Sequence, residues 1–131
     1  MKNLCPECKT QMHPTEGCDI CPNCGWSSCD NQEVIGRKAD LGKLRYDLIP
    51  PMALHETVKV LTFGSKKYSD DNWKKVPELK KRYYAAVQRH LWAWFRGEDL
   101  DQETGYHHLA HAQCCIMFIL EFIKMEEAND K

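Results

Sequence analysis

Three stretches of the chain repeat apolar residues at helical spacing, and each predicts a helix. The first covers residues 52–63, between Pro50-Pro51 and Gly64. Leu54, Val58 and Leu61 form its apolar stripe, and His55, Lys59 and Thr62 form its wet face. Glu56 falls between Val60 and Phe63 on the inner side. A carboxylate there must be ion-paired, hydrogen-bonded or bound to metal, and the pattern leaves a salt-bridged glutamate and a ligand equally open. The second helix covers residues 78–96, with Pro77 at its start and Gly97 at its end. Tyr83, Ala86, Val87, His90, Leu91 and Trp94 make one stripe, so His90 reads first as a hydrogen-bonded core histidine and second as a site residue. The third helix covers residues 106–125. Gln113, Glu121 and Lys124 are its polar strip, and His108, His111, Cys115, Phe118 and Phe122 lie opposite. Two inward histidines at i and i+3 are hard to explain by packing, so we assign His108 and His111 to a site.

The polar segments between these helices carry the other candidate chemistry. Residues 97–105, G-E-D-L-D-Q-E-T-G, place Glu98, Asp99, Asp101 and Glu103 directly before the third helix. In residues 64–77, Lys66, Lys67, Lys74 and Lys75 interleave with Tyr68 and Trp73. Cations beside aromatics suit a ligand with phosphates and a base, although an ordinary solvated loop has the same look. Residues 31–51 form a polar connector in which Lys38, Lys43 and Arg45 surround Gly42. That spacing suits phosphate contact, and composition alone favours a solvated linker.

The first thirty residues break the helical pattern. Cys5-Pro6-Glu7-Cys8 and Cys21-Pro22-Asn23-Cys24 are two C-x-x-C knuckles twelve residues apart. Two knuckles present four thiolates to one ion, and so predict a structural zinc ribbon on Cys5, Cys8, Cys21 and Cys24. The competing reading is a redox-active dithiol. Cys18 and Cys29 are surplus to four ligands. The run E-G-C-D-I-C-P-N-C-G-W-S-S-C resembles the zinc ribbon at the C-terminus of some ribonucleotide reductases, which implies a ribbon and not a reductase. Thirty residues bury little core, so the ion must supply the stability.

Composition narrows the partners. The 131 residues suffice for one domain and a small appendage, and the net charge of −1 offers no bulk attraction to nucleic acid or membrane. No run approaches the roughly 18 apolar residues of a membrane span. The leaderless start and the paired cysteines lead us to expect a reducing compartment, the cytoplasm.

Several chemistries fail on motif. A zinc deaminase needs H-x-E and P-C-x-x-C, but His55 and Glu56 are adjacent and neither knuckle follows a proline. H-E-x-x-H fails at Lys59. The phosphate loop G-x-x-x-x-G-K-[ST] and the adjacent His-Asp pair of HD-type phosphohydrolases are absent. Carboxylates with Lys and Arg suit metal-assisted hydrolysis of a phosphoanhydride. The inventory alone does not separate that from an oxygen-binding iron site. A non-catalytic nucleic-acid-binding or adaptor protein built on the ribbon is the reading from outside enzymology.

Residues 38–122 resemble the phage dATP/dGTP diphosphohydrolase family, the MazG-like enzymes sometimes called MazZ. The motifs that carry the resemblance are K-A-D-L-G-K-L-R-Y-D-L-I-P-P, L-T-F-G-S-K-K-Y with N-W, R-H-L-W-A-W, G-E-D-L-D-Q-E-T-G and H-L-A-H-A. The resemblance implies an all-α, MazG-like helical bundle. It implies Mg2+ or Mn2+ and cleavage of a deoxynucleoside triphosphate to monophosphate and pyrophosphate. The general pattern of E-x-x-E on one helix and E-x-x-D on a later one is incomplete here, because Lys59 stands three residues after Glu56. The expected organisation is a zinc ribbon at 1–30, a phosphate-contacting linker at 31–51 and a hydrolase domain at 52–131. The expected metal ligands are Glu56, Glu98, Asp101, His108 and His111, with Glu56, Glu98, Asp101 and His111 catalytic. Lys43, Arg45, Lys66, Lys67 and Arg89 are assigned to the phosphates and Trp73 to the base. Trp92, Trp94 and Phe95 are more aromatic surface than one protomer need bury, which predicts a homo-oligomer.

Overall fold

The computed structural model describes residues 3–15, 17–28 and 36–130. It divides into two compact units, residues 1–48 and 49–131. Cys29 and residues 31–35 of the expected linker lie outside the described residues.

In the first unit, β1 (His13–Thr15) and β2 (Cys18–Ile20) pair antiparallel, with His13 opposite Ile20 and Thr15 opposite Cys18. A knuckle flanks the hairpin on each side. Each knuckle turns back on a residue with positive φ just after its second cysteine, Lys9 at 65° and Gly25 at 81°. The matching bonds run from Lys9 N to Cys5 O and from Gly25 N to Cys21 O. Glycine enters this region without strain, whereas lysine needs the turn to hold it there. Cys5, Cys21, Cys24 and Met12 are buried together, with Trp26 packed against them. Residues 36–48 group with this unit and end in a short 3-10 turn, Tyr46–Leu48.

The second unit is mainly helical. It contains α1 (Pro51–Lys67), a 3-10 turn (Asn72–Lys75), α2 (Leu79–Phe95) and α3 (His108–Asn129). The central element is α3, which packs against α2 and, less extensively, against α1. Ala110 and Cys114 meet Val60 of α1, while Ala112 and Cys115 meet Val87 of α2. Small residues on both of these sides let three helices close around one another.

Two predictions for α1 need correction. The helix does not stop before Gly64 but runs through it to Lys67. An interior glycine costs only about 1 kcal/mol, and Lys66 and Lys67 in the last turn favour the helix dipole. The apolar stripe is also rotated. Thr57 and Val60 are buried, whereas Leu54 and Val58 are 39% and 45% exposed. Thr57 is accommodated because its hydroxyl donates to Ala53 O at 3.1 Å. In α2 the stripe includes buried Leu79 and Ala93, and Trp94 lies largely outside it. The third helix starts two residues later and ends four residues later than its pattern suggested.

Candidate active site

Residues 96–107 set the site, and local sequence explains their path. Gly97, at φ 103°, closes α2 with paired capping bonds, Glu98 N to Ala93 O and Gly97 N to Trp94 O. The chain then doubles back. Leu100 bridges His107, Asp101 N donates to Tyr106 O at 2.8 Å, and His108 N donates to Asp99 O at 2.8 Å. Asp101 Oδ1 pins the turn by accepting from Glu103 N at 3.0 Å, Thr104 N at 2.9 Å and Thr104 Oγ1 at 3.2 Å. Burial pushes the Asp101 carboxyl up, but the hydrogen bonds from Thr104 and Glu103 together with the nearby His111 outweigh it and hold the group below its usual range. Beyond the turn, the His107 ring accepts from Leu109 N and caps α3.

The loop thereby brings two carboxylates to three imidazoles. His108, only 5% exposed, lies with Nε2 3.0 Å from Glu98 Oε2 and Nδ1 2.8 Å from His90 Nδ1. The His90 ring stacks on His111 at 4.6 Å and 10°. His111 Nε2 is 2.7 Å from Thr104 Oγ1. Single ligand atoms of His90, Asp101 and His108 all lie within 4.8 Å of one another. Burial, reinforced by the neighbouring His111 and His108, pushes the His90 pKa down to about 4, and burial lowers that of His111. His90 and His111 therefore offer lone pairs at neutral pH rather than cations.

A cleft of about 610 Å³ opens beside this cluster. Asp70, Asp71, Asp101 and Glu103 line it against two cations, Lys67 and Arg89. Lys67 is itself paired with Glu103 at 2.5 Å. At the apolar side, Trp73 stacks on Phe118 at 4.8 Å and 12°, with Tyr83 edge-on to Phe118. Cys114 and Cys115 also border the cleft, but burial raises their thiols to about 12 and about 11, which makes neither a ready nucleophile.

Most of the residues singled out from sequence converge here, with exceptions. Asp101, His111, Lys67, Arg89 and Trp73 line the cleft. Glu98 and His108 belong to the imidazole cluster behind it. Glu56 pairs with Lys59 at 2.9 Å and is absent from the lining; that hydrogen bond leads the causes that lower its carboxyl pKa. Lys66 is exposed and likewise not part of the lining. Lys43 and Arg45 belong to the first unit, where Arg45 pairs with Asp47 at 2.6 Å. His90, read first as a hydrogen-bonded core histidine and second as a site residue, is half-buried, bonded to His108 and part of the cleft lining. The available signal was its place on the α2 stripe, facing the helix that carries His108 and His111.

The four cysteines of the first unit form a second ligand cluster. Their sulfurs lie within 4.8 Å of one another, with Cys5–Cys24 at 3.6 Å and Cys8–Cys21 at 3.5 Å. Tetrahedral bonds of about 2.3 Å to one zinc would separate sulfurs by about 3.8 Å, so the residues fit such an ion. Hydrogen bonding to the side chain and backbone of Thr10 lowers Cys8 to about 6.

The fold and cleft define a class: a small helical domain whose His/carboxylate cluster sits beside a pocket of nucleotide size. The sequence model described as dATP/dGTP diphosphohydrolase, N-terminal, matches residues 33–131, and the chain belongs to that family. It is 38% identical over 98 residues to a protein of Salmonella phage PMBT28 named dATP/dGTP diphosphohydrolase. The match covers 74% of this chain and 33% of that relative, so the chain spans about a third of the relative's length. No solved structure matches.

The lowered His90 pKa sets a pH dependence of stability. The unfolded chain protonates His90 near 6.5, and the folded chain only near 4. Stability is therefore fully present above about 6.5 and is lost as pH falls towards 4. The slope is at most about 1.4 kcal/mol per pH unit. Melting temperatures from pH 7 to 4 should fall steeply in the wild type and less so in His90→Gln. Equal slopes would show that His90 protonates freely in the folded state.

Proposed function

We propose that the chain hydrolyses a deoxynucleoside triphosphate of the dGTP/dATP class to its monophosphate and pyrophosphate, using Mg2+ or Mn2+. The observation that carries the reading is the charge of the cleft. Four carboxylates face two cations, one of them already paired. A free triphosphate would be repelled there, and a cleft of this sign takes up divalent ions, with which a polyphosphate can enter. Both the family membership and the name of the phage relative support the substrate class.

In this reading, Asp101 and the imidazoles of His90 and His108 would hold the metal, Glu98 supports His108, and His111, bonded to Thr104, keeps the His90 ring in place. A divalent ion bound there lowers the pKa of water and offsets phosphate charge. Arg89 and Lys67 bind phosphate oxygens, and the side of the cleft built by Trp73, Tyr83 and Phe118 receives the base. Phe118 already covers one face of Trp73, leaving the other face and the edge for the ligand. Water attacks the α-phosphorus, the bond to the bridging oxygen breaks, and pyrophosphate leaves. Zinc on Cys5, Cys8, Cys21 and Cys24 would hold the first unit together, and the work would be done in the cytoplasm, where the nucleotide pool lies. The test is turnover of each dNTP with either ion, scored for pyrophosphate against single phosphate. Pyrophosphate from dGTP or dATP is expected, and its absence from every dNTP would sink the reading.

We also propose that the protein acts as a homo-oligomer through its helical unit. The first two sides of α3 are packed, while Ile116, Met117 and Leu120 stand exposed on it. Trp92 and Phe95 of α2 remain 57% and 76% exposed. The described residues of α3 are long and apolar enough to cross a membrane by length and composition, yet only 28% of that window is buried within the chain. A second copy is the cover that needs no lipid. Light scattering should give a mass of at least twice 15.3 kDa, and a monomer at assay concentration would refute this.

A further inference from the structure

We infer that His90, His108 and Asp101 form a binding site for a transition-metal ion of the manganese–cobalt–zinc class, which it prefers to magnesium. The inference rests on the proposed active site for its purpose, but not for its geometry.

The geometry begins with Glu98. Its carboxylate lies 3.0 Å from His108 Nε2, so that nitrogen carries the proton and donates it. Nδ1 is then the nitrogen that can turn a lone pair to an ion. A histidine that ligates metal through one nitrogen almost always donates its other N–H to an acceptor such as a carboxylate. This arrangement gives Glu98 a different part from the ligand role expected from sequence: it orients the ring and raises the basicity of the ligating nitrogen.

The lone pair of His108 points at His90 Nδ1, 2.8 Å away. Two nitrogens bound about 2.1 Å from one ion at right angles lie about 3 Å apart, so the pair is already near ligating separation. Without an ion, one shared proton bridges the gap; with one, both nitrogens turn to it. Asp101 supplies the third donor within 4.8 Å. Its Oδ1 is occupied by Glu103 and Thr104, and among the described residues no hydrogen bond goes to Oδ2. Stacking against His111, itself bonded to Thr104, keeps the His90 ring in place.

The donor set decides the ion. Magnesium takes oxygen donors, keeps several waters and dehydrates reluctantly. Imidazole suits zinc, copper, iron and nickel, and two histidines with one carboxylate on one side of an ion mark a transition metal with open positions. His90 and Asp101 both line a cleft large enough for a nucleotide.

The experiment titrates Co2+ into the full-length, zinc-loaded chain and reads its visible absorption, in the presence and absence of excess Mg2+. One further equivalent per chain should bind, with d–d bands and no thiolate-to-cobalt charge transfer, and Mg2+ should not displace it. His90→Gln and Asp101→Asn should abolish these bands while circular dichroism stays that of the wild type. Glu98→Gln should weaken binding by about 10–100-fold, as loss of an outer partner does. No added cobalt, displacement by Mg2+, or unchanged affinity in His90→Gln would overturn the inference. Pyrophosphate release is scored on the same samples. Cobalt binding without turnover would refute the enzymatic reading alone, and turnover without cobalt binding would refute the metal site alone.

Discussion

Asp101→Asn should remove nearly all pyrophosphate release while leaving the protein folded. Asparagine keeps the side-chain oxygen that accepts from Glu103 N, Thr104 N and Thr104 Oγ1, so the turn that closes residues 96–107 survives. What disappears is the negative charge beside His90 and His108. Loss of a direct metal ligand should cost more than the roughly 10–100-fold that follows loss of an outer-shell partner. Asp101→Ala supplies the contrast, because it also removes three hydrogen bonds and leaves partly buried donors unpaired, at about 1–3 kcal/mol each. Its melting temperature should fall well below that of Asp101→Asn. Glu56→Gln is the second contrast. The Glu56–Lys59 pair is half-exposed and neither residue lines the cleft, so turnover should stay near wild type. Steady-state kinetics with circular dichroism on the three variants decide the matter. Full activity in Asp101→Asn, or loss in Glu56→Gln, would mean that the reacting centre lies elsewhere.

Removal of the zinc that we propose on the four cysteines should unfold the first unit and leave the helical one standing. The packed interior of the hairpin unit is little more than Cys5, Met12, Cys21, Cys24 and part of Trp26. A core that small cannot offset chain entropy. Structural zinc in comparable peptides supplies about 10–16 kcal/mol of apparent binding energy. With a strong chelator, or in Cys21→Ser, the remaining knuckle thiols should alkylate rapidly and bound zinc should disappear from elemental analysis. The helical circular dichroism signal should persist, since the second unit has its own core clusters around α3. Equal alkylation rates with and without chelator would rule out a structural ion.

Much of this protein is legible along the chain because the determinants are local. The knuckles, Gly97 and the proline-bounded starts of helices are short-range signals, and they mark α2 and the hairpin unit well. The inward placement of His108 and His111 also follows from spacing on one helix, and His108 is among the most buried residues of α3. Errors arose where a local rule met tertiary packing. Gly64 reads as a terminator, yet α1 continues through it because the helix keeps its hydrogen bonds to Lys67. Leu54 and Val58 are the more hydrophobic choice for the inner face, yet Thr57 and Val60 occupy it, because α3 offers α1 the small side chains of Ala110 and Cys114.

The roles of single site residues show the division most clearly. The sequence by itself determined that an acidic, glycine-bounded loop leads into a helix opened by paired histidines, that four cysteines stand in two knuckles, and that these motifs belong to a nucleotide-hydrolase family. Tertiary structure decided which of the carboxylates and histidines meet. Glu98, Asp101 and His108 are near in sequence, but His90 is eighteen residues from His108 on a separate helix. It reaches 2.8 Å only because α2 and α3 pack side by side. Glu56 had the better claim by residue type, but its side chain finds Lys59 one turn away before it can find the cleft. Periodicity fixes the face on which a side chain emerges; the distance and angle at which two faces meet depend on every side chain packed between them.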